Sequence, residues 1–194
     1  MKTLEIRRKE FEIIEEINDY HWIATRKGKE YEVIDYSWHL GEFEDLITVD
    51  EKLNHTGIAH PRIYTYDKRT HVVAIERINS PTVLDELCVK NLSDDYFKEI
   101  FRANWFCKKD KFLLDFAPDQ WKMFNGKLYY IGTYLGKFDE NKTFEKDAIM
   151  LWVYSRELTA YLSAHGRTLD KTRLPINEGY IKKEICLKTI QFYL

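Results

Sequence analysis

Two neighbouring runs, Leu113-Leu114-Asp115-Phe116-Ala117-Pro118-Asp119-Gln120 and Asn125-Gly126-Lys127-Leu128-Tyr129-Tyr130-Ile131-Gly132, carry the most specific signal in the chain. The first is built like a loop, with two aspartates bracketing a proline. The second opens on Asn-Gly, among the strongest short hairpin signals because both residues tolerate positive φ, so strands are expected over 122–124 and 128–131. Taken alone, Asp115 reads as a loop aspartate that accepts from nearby backbone N–H groups.

Upstream, Ser93 is a plausible N-cap, with Asp94 and Asp95 in the first turn. The helix it starts would have an apolar face of Phe97, Ile100, Phe101, Trp105 and Phe106, ending near Lys108-Lys109, a solvated basic end. Trp105, Phe106, Phe112, Phe116 and Trp121 are expected to form the core beneath the Asp115 loop. Downstream, helical spacing extends over 144–165, with Gly166 as its cap, and again over 177–193; Ala148–Tyr154 would be a buried helix centre.

Before Asn79 the pattern differs. Residues 11–17, 20–25 and 31–36 are short runs rich in aromatic and β-branched residues, the last two joined by a turn at Arg26-Lys27-Gly28-Lys29. Phe43, Leu46, Ile47, Val49 and Leu53 then follow helical spacing over 40–55, with Gly57 expected to cap the helix. Strands at 62–66 and 72–78 follow, and Asn79-Ser80-Pro81-Thr82 marks a boundary after which helices dominate.

The 194 residues include 30 Lys+Arg and 32 Asp+Glu, a formal charge of −2. That balance argues against nucleic acid or an anionic membrane as a general partner, while leaving room for local basic patches. A hydrophobic content of 44% with only 8 Gly and 4 Pro excludes a disordered or low-complexity chain. Cys88, Cys107 and Cys186 are widely spaced and form no CxxC pair, which fits a reduced, cytoplasmic compartment. His55 and His60 lack a Cys or acid in ligand spacing and read as surface or helix-end histidines, so no metal site is assigned. The longest wholly apolar run, Ala148–Tyr154, is far too short to span a bilayer.

This order of elements resembles the α+β protein-kinase-like fold, particularly compact members such as RIO-type, lipopolysaccharide-kinase-like and aminoglycoside-phosphotransferase-like proteins. Three stretches carry the resemblance. Gly57-Ile58-Ala59-His60-Pro61-Arg62-Ile63 is similar to a "G-I-x-x-P-x-[VI]" lead into a strand, and Val73-Ala74-Ile75-Glu76-Arg77-Ile78 with Pro81-Thr82 is similar to the hinge pattern "V-x-E-x-I-x-G-x-T". Asp115 to Tyr134 is similar to "H-x-D-L-x-P-x-N", a hairpin, and "I-D-[FY]-x". The resemblance implies an antiparallel-sheet N-terminal lobe with one helix, residues 1–79, and a shortened helical C-terminal lobe, residues 80–194.

The same resemblance implies site residues and their failures. Asp115 falls on the catalytic aspartate, Glu76 and Ile78 on the hinge that would hold adenine, and Gln120 on the metal-binding asparagine. Gly132 replaces the magnesium-binding aspartate, and Ile34 stands where a phosphate-pairing lysine belongs. The helix partner of that lysine would be an acid near Glu44 or Asp45, although spacing points closer to Leu46. Asn18-Asp19-Tyr20-His21-Trp22, where a glycine-rich lid would lie, contains no glycine. Magnesium needs hard oxygen ligands, and Gly and Gln supply at best one neutral oxygen. The function implied is that of a degenerate kinase, or pseudokinase, with a binding or regulatory role; ATP would bind, if at all, with magnesium binding impaired. Two alternatives stay open: an active ATP-dependent phosphotransferase with metal ligands moved to Gln120, Asp119 or Asp139, and an interaction or assembly module that acts through a protein partner without nucleotide.

Overall fold

A computed structural model describes residues 2–169 and Gln191. The chain is mixed α and β and forms two compact units, one of residues 2–55 and 60–79, the other of residues 56–59 and 80 onward. The segment 56–59 thus packs with the second unit. Among the described residues no helix is long and apolar enough to cross a membrane.

The first unit is a curled antiparallel sheet with one helix. Its strands are β1 (Thr3–Ile6), β2 (Lys9–Asn18), β3 (His21–Arg26), β4 (Lys29–Asp35), β5 (Ile63–Asp67) and β6 (Val72–Glu76), in the order β1-β2-β3-β4-β6-β5. β1 also lies against β5 and β6, which curls the sheet on itself. Period-2 alternation sends Ile6, Phe11, Ala24, Tyr31, Val33 and Ala74 to one buried face. The other face carries Val73 and Ile75, covered by Phe43 of helix α1 (Leu40–Leu53), with Ile34 and Leu46 packed against the same cluster. Each such large apolar side chain contributes about 1.5–3 kcal/mol through burial.

Two hairpin turns of this unit have the same two-residue, double positive-φ geometry. Lys27 (φ 51°) and Gly28 (φ 74°) join β3 to β4, while Arg7 (φ 49°) and Arg8 (φ 65°) join β1 to β2. For a non-glycine residue this backbone region costs on the order of 1–2 kcal/mol. Because Arg-Arg is not a turn signal, β1 is a strand that the sequence does not announce.

Gly57 is not the helix cap. Asn54 ends α1, and a Cβ on Gly57 would run into the ring of Phe106, so glycine there permits a close approach within the second unit. His60 is also not on the surface: it is 6% exposed, with Nε2 3.2 Å from Asp50 Oδ1. Burial pushes the Asp50 carboxyl upward. Hydrogen bonds from His60, the Ile63 N–H (3.1 Å) and Asn54 Nδ2 (2.9 Å) outweigh it and hold the carboxyl below its ordinary 3.8. A carboxylate depressed on folding adds stability above its unfolded value and loses it as pH falls through the folded one. Asp50→Ala is therefore expected to cost about 1–3 kcal/mol at neutral pH. Urea unfolding at several pH values checks this, the gap from the parent narrowing below pH 3.8.

The second unit begins with a helical turn, α2 (Val83–Leu87), capped by Thr82 Oγ1 accepting from the Asp85 N–H at 3.1 Å. Helix α3 (Asp94–Asp110) starts where the sequence places it, with Ser93 at the N-cap position but making no side-chain cap bond. Its buried face is Tyr96, Phe97, Ile100, Phe101, Ala103, Asn104 and Cys107; Trp105, expected in the core, is 54% exposed. Lys111 (φ 55°) turns the chain into β7 (Phe112–Leu113). Hairpin β8 (Trp121–Phe124) and β9 (Lys127–Tyr130) closes through Asn125 and Gly126, both at positive φ. A short strand, β10 (Gly136–Lys137), pairs with β7.

The helix expected over 144–165 is broken. A π-helical turn (Phe144–Ala148) and a 3₁₀ turn (Ile149–Leu151) precede helix α4 (Arg156–Ala164). Tertiary bonds override local periodicity here. Asn104, 0% exposed, accepts from the Phe144 N–H (3.1 Å) and donates to Glu145 Oε2 (2.6 Å), Lys108 pairs with Glu145, and Trp152 donates to Phe116 O (2.7 Å). Lys108 is thus a paired rather than solvated end. Ser155 then restarts the helix, its Oγ accepting from the Leu158 N–H at 3.0 Å. At the far end Arg167 N bonds Leu162 O and Gly166 N bonds Ser163 O with Gly166 at φ 65°, a Schellman closure. The helix expected over 177–193 lies outside the described residues apart from Gln191, which is helical, and Cys186 lies outside them as well.

Candidate functional site

The loop 114–120 is suspended from two indoles. Trp121 Nε1 donates to Asp115 O (2.9 Å) and Trp152 Nε1 donates to Phe116 O (2.7 Å), while the Trp121 ring stacks on Phe116 at 6.0 Å and 3°. Backbone and aromatic core therefore fix the Asp115 main chain from both sides. Its side chain accepts from the Ala117 N–H at 2.9 Å and lines a cavity of about 290 Å³ together with Tyr134, Lys142 and Asp147.

Burial raises the Asp115 carboxyl above its ordinary 3.8; the Ala117 N–H opposes this, and the charges of Asp119 and Asp147 add to it. Such a carboxyl is a stronger base than a solvated one and sits in a cavity, the environment expected of a functional acid or base. The sign for stability follows. A carboxyl raised on folding makes the fold less stable as pH climbs through the unfolded and then the folded value. Asp115→Asn, which keeps the acceptor for Ala117, is therefore expected to raise the melting temperature at neutral pH, with the gain vanishing below pH 3.8; scanning calorimetry across pH measures it.

Asp119 and Gln120 belong to the same loop but are bound to each other. Gln120 Nε2 donates to Asp119 Oδ2 (2.6 Å), and Tyr161 Oη donates to Asp119 Oδ1 (2.7 Å). Burial and the Asp119 carboxylate push the Tyr161 hydroxyl well up, so it remains a donor. Asp139, the other acid considered for metal, accepts from the Asn141 N–H at 2.9 Å.

Gly132 is tied to this loop through Gln120 and Tyr130. The Ile131 N–H donates to Gln120 O (2.9 Å), and a Cβ on Gly132 would lie 2.6 Å from Tyr130 Oη and 2.7 Å from Gln120 Oε1. Tyr130 Oη is itself fixed, donating to Tyr134 O (2.9 Å) and bonded by the Asp115 backbone; burial raises its pKa far above the ordinary range. A tyrosine hydroxyl thus fills the space into which a side chain at 132 would project. No sequence pattern announces this role for Tyr130.

Magnesium does not fit these residues. Both Asp119 oxygens already accept hydrogen bonds, Gln120 offers a single neutral amide oxygen toward Gly132, and position 132 has neither carboxylate nor room for one. Among the described residues no group of three or more His, Cys, Asp or Glu is arranged to hold a metal ion.

Glu76 and Ile78 belong to the other unit. Glu76 ends β6 with its N–H donating to Arg62 O (2.9 Å) and its side chain exposed, whereas the Ile78 side chain is 2% exposed and part of the core. In the same unit, Ile34 and Leu46 pack against one apolar cluster. The turn at Asp19-Tyr20 is closed by Asn18 Oδ1 accepting from the Tyr20 N–H (2.9 Å), the Tyr20 ring lies edge-on to Trp38 at 4.2 Å, and Trp22 packs on the sheet core.

The chain matches no protein-family model and no curated protein.

Proposed function

We propose that this protein is a degenerate member of the protein-kinase-like superfamily, its sheet unit and helical unit being counterparts of the two lobes, and that it acts by binding rather than by phosphoryl transfer. The observation that carries this reading is the Tyr130 hydroxyl beside Gly132: the place a magnesium-binding carboxylate would take is occupied by a fixed phenol. Supporting it, Ile34, at the position where the resemblance expects a phosphate-pairing lysine, packs against an apolar cluster, while Glu44 and Asp45, the acids considered as that lysine's partner, are exposed on α1. Phosphoryl transfer relies on positioning and on charge placed against the triphosphate. Losing one such stabilising group commonly costs several kcal/mol of transition-state stabilisation, about 10²–10³ in rate.

The raised carboxyl of Asp115 favours a second reading, an active phosphotransferase with Asp115 as base. The two readings separate in a transfer assay with labelled ATP. The binding reading expects label transfer and phosphate release at background for both the parent and Asp115→Asn; turnover by the parent that Asp115→Asn abolishes would establish the enzyme. The third reading, an interaction module without nucleotide, predicts no response to nucleotide of any kind and a stable protein partner.

A further inference from the structure

A groove of about 590 Å³ in the sheet unit is lined by Arg7, Arg8, Tyr66, Asp67, Lys68 and Arg69. It lies where the β1–β2 turn and the β5–β6 turn meet, because the sheet curls until β1 reaches β5. Four cationic side chains thereby face one carboxylate. Asp67 is engaged in shaping its own turn, Oδ1 accepting from the Arg69 N–H at 2.8 Å. None of the four cations pairs with a carboxylate among the described residues, although acids outnumber bases in the chain as a whole.

The turn chemistry adds weight. In the two other hairpins of this geometry the chain places glycine at the second position, Lys27-Gly28 and Asn125-Gly126. At the β1–β2 turn it places two arginines in the same strained backbone, where Asn-Gly would be relaxed. Strain held at a site that packing does not require points toward function.

From this juxtaposition we infer that the groove between the β1–β2 and β5–β6 turns binds a compact anion carrying two or more phosphates. Guanidinium forks match phosphate oxygens bidentately, and three of the four cations are arginines. The ligand is compact because the positive patch stops abruptly. Behind the Arg7-Arg8 turn the first cross-strand pair is Ile6 and Lys9 and the second is Glu5 and Glu10, with Glu12, Glu15 and Glu16 following along β2, so an extended polyanion leaving the groove in that direction would meet acids just past Lys9. The shared chemistry, clustered phosphates, has two sources: a soluble phosphate ester or the headgroup of a polyphosphorylated lipid. This inference stands apart from the reading of the Asp115 loop.

The test is calorimetric titration of the full chain with inorganic triphosphate, beside flotation with phosphatidylcholine vesicles with and without phosphatidylinositol bisphosphate. Saturable binding to triphosphate identifies a soluble ligand, and binding only to the phosphoinositide vesicles identifies a headgroup. The double substitution Arg7→Asn, Arg8→Gly should raise the melting temperature, by relieving the turn, while weakening binding about ten-fold or more. Lys68→Ser with Arg69→Ser, on the opposite turn, should weaken it similarly. Absence of binding to both probes, binding that neither double variant alters, or affinity for single-stranded oligonucleotides that keeps rising with length would overturn the inference.

Discussion

Trp121→Ala is expected to destabilise the protein by about 3–5 kcal/mol. The indole is 0% exposed, stacks on Phe116, and lies 5.0 Å from the Tyr130 ring. Truncation leaves a cavity between Tyr130, whose hydroxyl is hydrogen-bonded, and Phe116, whose backbone carbonyl is held by Trp152, so the site collapses poorly. It also removes the donor to Asp115 O (2.9 Å), leaving a carbonyl of the loop without that partner. Trp121→Phe separates the two contributions: it keeps a ring and loses the N–H, and should cost about 1–3 kcal/mol. For a chain of this size the alanine variant should melt roughly 6–20 °C lower. A loss below about 1 kcal/mol would mean that the indole does not hold the Asp115 loop.

The second large effect is at Gly132. Gly132→Asp rebuilds the carboxylate that the kinase pattern places there, yet it is expected to cost about 2–5 kcal/mol and to recover no magnesium binding. Its Cβ would fall 2.6 Å from Tyr130 Oη, a group that Tyr134 O and the Asp115 backbone keep in place, and its charge would enter a buried position. Gly132→Ala isolates the steric part at about 1–3 kcal/mol. Thermal melts of both variants, with and without magnesium and ATP, measure these effects. An aspartate variant that melts with the parent and gains magnesium-dependent stabilisation by nucleotide would show that the site lacks only a carboxylate.

How much of this was legible in the sequence differs from element to element. The strands from Lys9 to Asp35 and helix α1 follow from alternation and helical spacing, because each has one face in a core and one in water. The Asn125-Gly126 hairpin follows from residues that accept positive φ at little cost; the Arg7-Arg8 hairpin does not, since the same backbone is imposed there on residues that disfavour it. The break at 149–155 was hidden for a different reason. Local spacing there is helical, and what ends the helix is the Trp152 bond to Phe116 O and the Ser155 cap, contacts that no local pattern encodes. In the site, Gln120 and Gly132 are visible as departures from the pattern that the resemblance expects, but the group that fills the space beside Gly132 is Tyr130, an ordinary strand residue until its hydroxyl is seen there. Trp105 and His60 depart from expectation in opposite directions, the first because the apolar residues of α3 spread wider than its buried face, the second because Asp50 supplies a half-buried partner ten residues upstream.

In the proposed reading, the positions that would hold a cation against a triphosphate carry groups that cannot do so. Calorimetric titration of ATP with and without magnesium tests it most directly. Magnesium should add nothing to ATP affinity, whether ATP binds weakly or not at all. Tight ATP binding that appears only with magnesium would contradict it.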